Sequence, residues 1–314
     1  MRNLCITVVL VILGFIPKVG NAQDVFIAKY HNNKRAALSF TFDDGLREQY
    51  TVLFPKLKEL GIKATFCLIG SRMEQQPKNP DKQTFSWQQA REMATDGQEI
   101  SSHGWEHRNV TTLSAEQLRH EVQHNDSVIL QHTGIFPRTY FYPGNRKSDT
   151  AVAFCSKGRV GTRTRQVSLG SKRTQEWFEK WIDSIIKKEE WGVTMTHGIR
   201  TGYDCFGDET RLWRMFDYAL SKSETLWIAT FHDIAAYIKE RDNTTLHVNV
   251  HKNEIIVKPH TKLNKSIFNF PLTMIIDFKP TSAKQNKKLL PITMNNNKWC
   301  IEFNPNDGDI FINK

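Results

Sequence analysis

Between residues 35 and 240 short apolar runs alternate with amphipathic stretches. Arg35-Ala36-Ala37-Leu38-Ser39-Phe40-Thr41-Phe42 reads as a central strand, because an apolar run of this length suits a strand covered on both faces. Glu48 to Leu60 reads as a helix with Leu53, Leu57 and Leu60 on one stripe, closed by Gly61 and expected to bend at Pro55. Lys63 to Gly70 is the next strand, and Ser86 with Gln89 forms a capping box for a helix that Gly97 ends. Glu99 to Ser102 is a short strand, followed by a second capping box, Ser114 with Gln117, on a helix that buries Leu118, Val122 and Ile129. An aromatic strand, Thr139 to Tyr142, is cut by Pro143-Gly144. Helix 151–154, a strand near 159–163, and a helix with Trp177, Phe178, Trp181, Ile182, Ile185 and Ile186 on its core side come next. Trp191 to His197 is a strand, Leu212, Met215, Phe216 and Leu220 mark a helix, and Leu226 to Phe231 leads into a last helix up to Glu240. This alternation predicts an α/β fold, a parallel barrel or an open parallel sheet.

After residue 242 the period changes. Leu246 to Val250, Glu254 to Val257, Leu272 to Phe278, Trp299 to Phe303 and Asp309 to Ile312 are short strands between Asn, Lys, Pro and Gly turns. They predict a small antiparallel sheet or sandwich. The expected division is a leader at 1–22, a catalytic domain at 23–242 and an all-β accessory domain at 243–314. The leader reading rests on Arg2, the apolar run from Cys5 to Ile16 and the small residues Gly20-Asn21-Ala22, the pattern of a cleaved secretory signal. A secreted or periplasmic protein without a transmembrane segment after cleavage is expected.

A formal charge of +10 brings nucleic acid to mind, but the 43 Lys and Arg residues are scattered, and no nucleic-acid motif accompanies them. For an exported chain, an anionic envelope or polymer is the more natural partner. The widely spaced Cys67, Cys155, Cys205 and Cys300 contain no Cys-x-x-Cys pair, which gives neither a zinc knuckle nor a dense disulfide framework.

The candidate chemistry sits where the predicted strands end. Asp43-Asp44-Gly45 follows the first central strand, and His103 and His107 follow the strand 99–102. One carboxylate with two imidazoles is a three-ligand set that leaves positions open for water and substrate. Neighbouring side chains of an extended backbone point to opposite sides. Asp43 and Asp44 can therefore do different jobs, Asp44 on a metal and Asp43 as the base that takes a proton from water, with His197, at a later strand end, a candidate to protonate a leaving atom, but none of these roles follows from spacing alone.

In this order, Thr41-Phe42-Asp43-Asp44-Gly45, His103-x-x-x-His107, the aromatic strand ending in Pro143-Gly144 and the strand ending in His197 resemble the NodB-homology polysaccharide deacetylases, carbohydrate esterase family four. The resemblance spans roughly residues 35 to 240. It implies a distorted (β/α) barrel of the polysaccharide deacetylase type and removal of acetyl groups from N-acetylglucosamine polymers or acetylated xylan. It further implies a divalent metal, usually Zn2+ with Co2+, Ni2+ or Mn2+ as alternatives, on Asp44, His103 and His107. By the same resemblance Asp43 matches the base and His197 the acid, and the turn Tyr142-Pro143-Gly144 matches a substrate-binding stretch whose Tyr142 N–H faces the developing oxyanion.

Two motifs depart from the family pattern. Phe141 stands where an arginine orienting the base would be, with Arg138 offset, and no acid-aromatic pair supporting the acidic histidine is recognisable at 160–175. Arg163 or Arg165 is expected to supply the missing guanidinium to Asp43. Tyr203, Asp204 and Phe206 follow the His197 strand closely enough to line a substrate loop. The preferred substrate is a glucosamine-containing polysaccharide, peptidoglycan or chitin-like. An O-acetyl esterase on xylan or another glycan, and an inactive secreted carbohydrate-binding homologue, are the alternatives.

Overall fold

The computed structural model describes residues 25–171 and 173–314; the expected signal segment lies outside them. Strand β1 is Phe26–Ile27, and the first apolar run forms β2 (Ala36–Ser39) and β3 (Thr41–Asp43), interrupted at Phe40. Parallel neighbours follow in chain order, β4 (Thr65–Leu68), β5 (Glu99–Ser102), β6 (Thr139–Phe141) and β7 (Gly161–Arg163). A few residues on, β8 (Val167–Ser168) pairs instead with β9 (Trp191–Met195). Strand β9 returns to the start, pairing with β2 and bridging Phe42 through Thr196. The segment 161–168 therefore closes the ring, touching β6 with its first half and β9 with its second. Strand β10 (Leu226–Ile228) lies beside β2. The result is a distorted (β/α) barrel.

Its core follows the apolar pattern. Phe40, Phe42, Phe66, Leu53, Leu57, Phe178, Ile182, Leu212 and Phe216 belong to one buried cluster, and Trp177 and Trp181 pack against it partly exposed. Both predicted capping boxes form. The predicted helix at 48–60 forms, with a wider π-helical turn over Gln49–Leu53 leading into α1 (Phe54–Leu60). Pro55 cannot donate a backbone hydrogen bond, and the chain accommodates this by widening the preceding turn rather than bending mid-helix. The expected strand 226–231 ends early, because Thr230 caps the helix α2 (Phe231–Asp242) by accepting from the Asp233 N–H at 3.1 Å.

The C-terminal region is a sandwich of two antiparallel sheets. One has the strand order β11 (Thr244–Val250), β12 (Glu254–Thr261), β18 (Ile310–Asn313), β14 (Ser282–Gln285) and β15 (Lys288–Leu289). The other has the order β1, β13 (Leu272–Ile276), β17 (Lys298–Phe303) and β16 (Ile292–Asn295). The strands at 282–295 carry too few apolar positions to announce themselves in the sequence. Strand β1, from the other end of the chain, pairs with β13. Ile255, Val257, Met274, Ile301, Phe303 and Ile312 fill the sandwich, and Tyr237 from α2 shares that core. The Tyr237 hydroxyl also donates to the Ala28 carbonyl at 2.8 Å.

Tyr237 is fully buried, and this shared packing predicts that deleting residues 244–314 leaves the barrel insoluble or with a clearly lower thermal midpoint, as measured by circular dichroism. An unchanged midpoint would show two independent cores.

Candidate active site

The carboxyl ends of β3, β5, β7 and β9 meet at one end of the barrel, and each delivers one part of the site. Asp44 leaves β3 in the left-handed region at φ +76°. The strand alternation expected to separate the two aspartates therefore does not apply. Both carboxylates converge on His103, whose Nε2 lies 3.8 Å from Asp43 Oδ2 and 3.6 Å from Asp44 Oδ1. His107 Nε2 lies 3.9 Å from the same Asp44 oxygen.

The loop carrying the histidines is held from beneath. Glu121, nearly buried, accepts from the Arg108 N–H at 2.8 Å and the Glu106 N–H at 3.1 Å, and its own carbonyl accepts from the Trp105 N–H. These bonds brace His107 in a left-handed conformation at φ +63°, an arrangement that costs energy in an ordinary loop and marks a functional constraint. A Cβ on Gly104 would come within 2.3 Å of the Glu121 carboxylate, so only glycine lets the loop close on its brace.

Asp44, His103 and His107 place one ligand atom each within 4.8 Å of one another. The His103 Nδ1–H donates to the Phe141 carbonyl at 2.8 Å, which fixes the tautomer and leaves the Nε2 lone pair facing Asp44. Burial, then the neighbouring His103, push the His107 imidazole down to about 4, with Arg72 adding to the effect against Asp44 and Asp43. A neutral imidazole is the form that ligates. The Asp44 Oδ1 atom is buried with no hydrogen-bond partner, an orphan that a cation would satisfy. The three residues fit one divalent ion.

Of the two arginines offered by the sequence, Arg163 reaches Asp43, while Arg165 is exposed. The guanidinium grips the carboxylate with both arms, Nη1 to Oδ1 at 2.8 Å and Nη2 to Oδ2 at 2.5 Å, and Nη1 also donates to Thr41 Oγ1. Burial alone would raise the Asp43 carboxyl, but Arg163, followed by His103, outweighs it and holds the group well below the usual carboxylate range. Arg163 lies over the Phe141 ring, 4.5 Å from its centroid. Phe141 and Arg163 are register partners in the ladder.

His197 follows β9, with its carbonyl tied to Asp43 through a residue the sequence did not single out. The fully buried Gln49 amide donates to the Asp43 carbonyl at 2.6 Å and to the His197 carbonyl at 3.1 Å. The His197 Nδ1 atom is buried without a partner, so no carboxylate supports this imidazole. Tyr203 stands edge-on to it with ring centroids 4.9 Å apart. Asp204 accepts from the Ser171 N–H and hydroxyl and from the Ser168 hydroxyl, and Phe206 is buried. Of the proposed loop trio, then, only Tyr203 faces the cleft.

The Tyr142 ring faces the core rather than the cleft. Tyr142 is 1% exposed and its hydroxyl donates to Thr162 Oγ1 at 3.0 Å. Pro143 is buried too, and Gly144 turns the chain at φ +58°. An aromatic strand end at the rim of a barrel packs inward on Tyr140, which leaves only the backbone of this turn available to a ligand.

Fold and site together place the chain among parallel α/β barrels that carry an Asp-His-His set able to hold one divalent ion beside a salt-bridged second aspartate. Residues 30–158 match the family described as polysaccharide deacetylase. Curated relatives include a peptidoglycan-N-acetylglucosamine deacetylase of Listeria monocytogenes, 30% identical over 169 residues, or 54% of this chain and 32% of that protein. Chitin deacetylase 1 of Cryptococcus neoformans is 31% identical over 198 residues, covering 62% of this chain and 36% of that protein. The chain thus spans about a third of the length of these relatives. Among solved structures, a family 4 acetyl xylan esterase from Clostridium thermocellum, in complex with a cobalt ion, aligns with a TM-score of 0.47 at 19% identity, over 63% of this chain and 89% of that one.

Replacing Arg163 by methionine should leave the buried Asp43 unpaired and cost about 3–5 kcal/mol of stability at pH 7. Because the native carboxyl is held low, the pair contributes fully above the ordinary carboxylate range and less as the pH falls below it. The gap between wild type and variant in denaturant unfolding should therefore shrink toward pH 2. A gap that stays constant with pH would mean that the ion pair is not its source.

Proposed function

We propose that the chain is a metal-dependent hydrolase that removes acetyl groups from an N-acetylglucosamine-containing polysaccharide, peptidoglycan or chitin-like. The observation that carries this reading is the pairing of an Asp44-His103-His107 set with a separate aspartate held ionised by Arg163. A protein that only binds sugar through a metal has no use for the second carboxylate. The relatives are named as deacetylases of peptidoglycan and chitin, which favours nitrogen over oxygen as the acetyl carrier.

Zinc or a similar divalent ion, when bound by Asp44, His103 and His107, supplies Lewis acidity toward the acetyl carbonyl and a water more acidic than in bulk. Asp43 is the chain's proton acceptor for that water. Arg163 fixes both carboxylate oxygens and keeps the group charged, so the basic form is present throughout the neutral range. His197, across the site, would donate a proton to the departing amine nitrogen. The Tyr142 backbone N–H is proposed as a donor to the developing oxyanion. Tyr203, 75% exposed on the wall of the cleft, offers a face for a sugar ring. Export to the periplasm or beyond fits a polymeric envelope substrate and the apolar leader pattern of residues 1–22.

Acetate release tests the reading. With added zinc or cobalt, the chain should release acetate from acetylated chito-oligosaccharides or peptidoglycan, and Asp43→Asn should lower turnover at least a hundredfold while retaining one equivalent of metal. Release from acetyl-xylan alone would move the assignment to an ester, and a metal-loaded protein that binds glycans without turnover would make it a binding protein. Tyr203→Ala should raise KM several-fold with a smaller change in kcat. A pure loss in kcat would place Tyr203 in support of His197 instead of in sugar binding.

A further inference from the structure

A cleft of about 510 Å3 opens beside the metal set, and Asp44, His197, Tyr203, Arg72, Asp81 and Lys82 are among the residues that line it. Arg72 ends the tight turn Gly70–Arg72, which packs directly on the ligand loop, with the Ser71 N–H donating to the Trp105 carbonyl at 3.0 Å. A Cβ on Gly70 would clash with Trp105 and Asn125, so the close approach is built into the sequence. The Arg72 backbone is anchored on both sides, its N–H to the Ile69 carbonyl at 3.0 Å and its carbonyl by the Thr84 hydroxyl at 2.7 Å.

The side chain itself is exposed. Among the described residues, no carboxylate forms an ion pair with Arg72 or Lys82, whereas Arg163 is matched by Asp43 and Arg200 by Glu209. Lys147, on the far rim, has its Nζ within 6.0 Å of the Tyr142 ring centroid and donates to the Asn145 carbonyl, again without an acid. Asp81 is the single carboxylate of the cleft other than the ligand Asp44. A neutral glycan would use a guanidinium only as a hydrogen-bond donor to its hydroxyl and amide oxygens. An anionic group is what a planar, unpaired fork recognises best.

We propose that Arg72, with Lys82 lining the same cleft, forms a subsite for an anionic substituent carried next to the acetyl group, so that the substrate is an acidic N-acetylated glycan. This rests on the deacetylase reading for the identity of the sugar but not for the charge preference. A carboxylate, as in a uronate or a lactyl ether, and a phosphate ester share this chemistry.

The test measures equilibrium binding and acetate release side by side. Three probes of equal length serve: neutral chitotetraose, a tetramer alternating N-acetylglucosamine with glucuronate, and a phosphorylated chitotetraose. Binding is measured with the zinc-loaded full chain carrying Asp43→Asn to stop turnover, and the same preference is read in wild type from kcat/KM in competition. At least one anionic probe should be favoured about tenfold over the neutral one at low salt. The ratio should fall toward one in Arg72→Ala, stay mostly intact in Arg72→Lys and be unmoved in Lys78→Ala, a neighbouring exposed lysine outside the cleft. Which anion is favoured separates carboxylate from phosphate. Equal binding of all probes, a preference that survives Arg72→Ala, or no binding of an anionic probe at millimolar concentration overturns the subsite. Absence of acetate from every probe would instead defeat the deacetylase reading, while the binding ratios would still decide the charge preference.

Discussion

The active end of this barrel depends on one buried ion pair. Arg163 and Asp43 are each about 2% exposed, and two such charges out of water are tolerated only with a bidentate geometry and further donors to absorb the cost. Here the arms of the guanidinium are divided among both carboxylate oxygens and the Thr41 hydroxyl. The Thr41 hydroxyl in turn donates to the Thr194 carbonyl on β9. The pair therefore joins three strands, β3, β7 and β9. The charge on Asp43 and the joining of these strands are one structural element.

The position of Arg163 explains how a departure in one motif is absorbed by another. The sequence resemblance calls for a guanidinium at the place occupied by Phe141. Phe141 and Arg163 are side by side in the β6–β7 ladder, so a side chain from the neighbouring strand reaches the same carboxylate, with the Phe141 ring as the floor beneath it. Exchange of a long side chain between ladder partners keeps the functional group in place while moving its residue number by 22. The support for His197 has no such replacement. Its Nδ1 is orphaned, and the backbone clamp from Gln49 fixes where the strand end sits without fixing the ring's proton.

This contrast also governs what could be read from the sequence. Asp44, His103 and His107 were legible because two imidazoles four residues apart and an aspartate after an apolar strand are local patterns. The strand-helix alternation was legible for the same reason, as was the change of period near 242. Gln49 was not, because an amide at a helix start carries no spacing signal and its bond to the His197 carbonyl joins it to a residue far along the chain. Strand β1 escaped notice because a two-residue strand has no period, and its partner lies about 250 positions away. Tyr142 lay between the two cases, since aromatic residues beside a turn can serve a sugar or a core, and only burial separates them.

Backbone strain shows where the ordering energy of the site is concentrated. Asp44 and His107 both sit at positive φ, a conformation disfavoured for residues with a Cβ by roughly 1 kcal/mol or more. Each is over-determined by its neighbours. The Asp43–Gly45 turn is pinned by Gln49 and by the Phe85 N–H donating to the Gly45 carbonyl, and the His107 loop is pinned by Glu121. A three-ligand set held this way is pre-formed, so a divalent ion meets converging donors instead of having to gather them. The cleft wall opposite is different in kind: beyond the anchored Arg72, the polar loop at 74–82 is largely exposed. On the proposed reading, the ligand set carries the chemistry and the exposed charged wall the choice of substrate, with the barrel fixing the first and the loop setting the second.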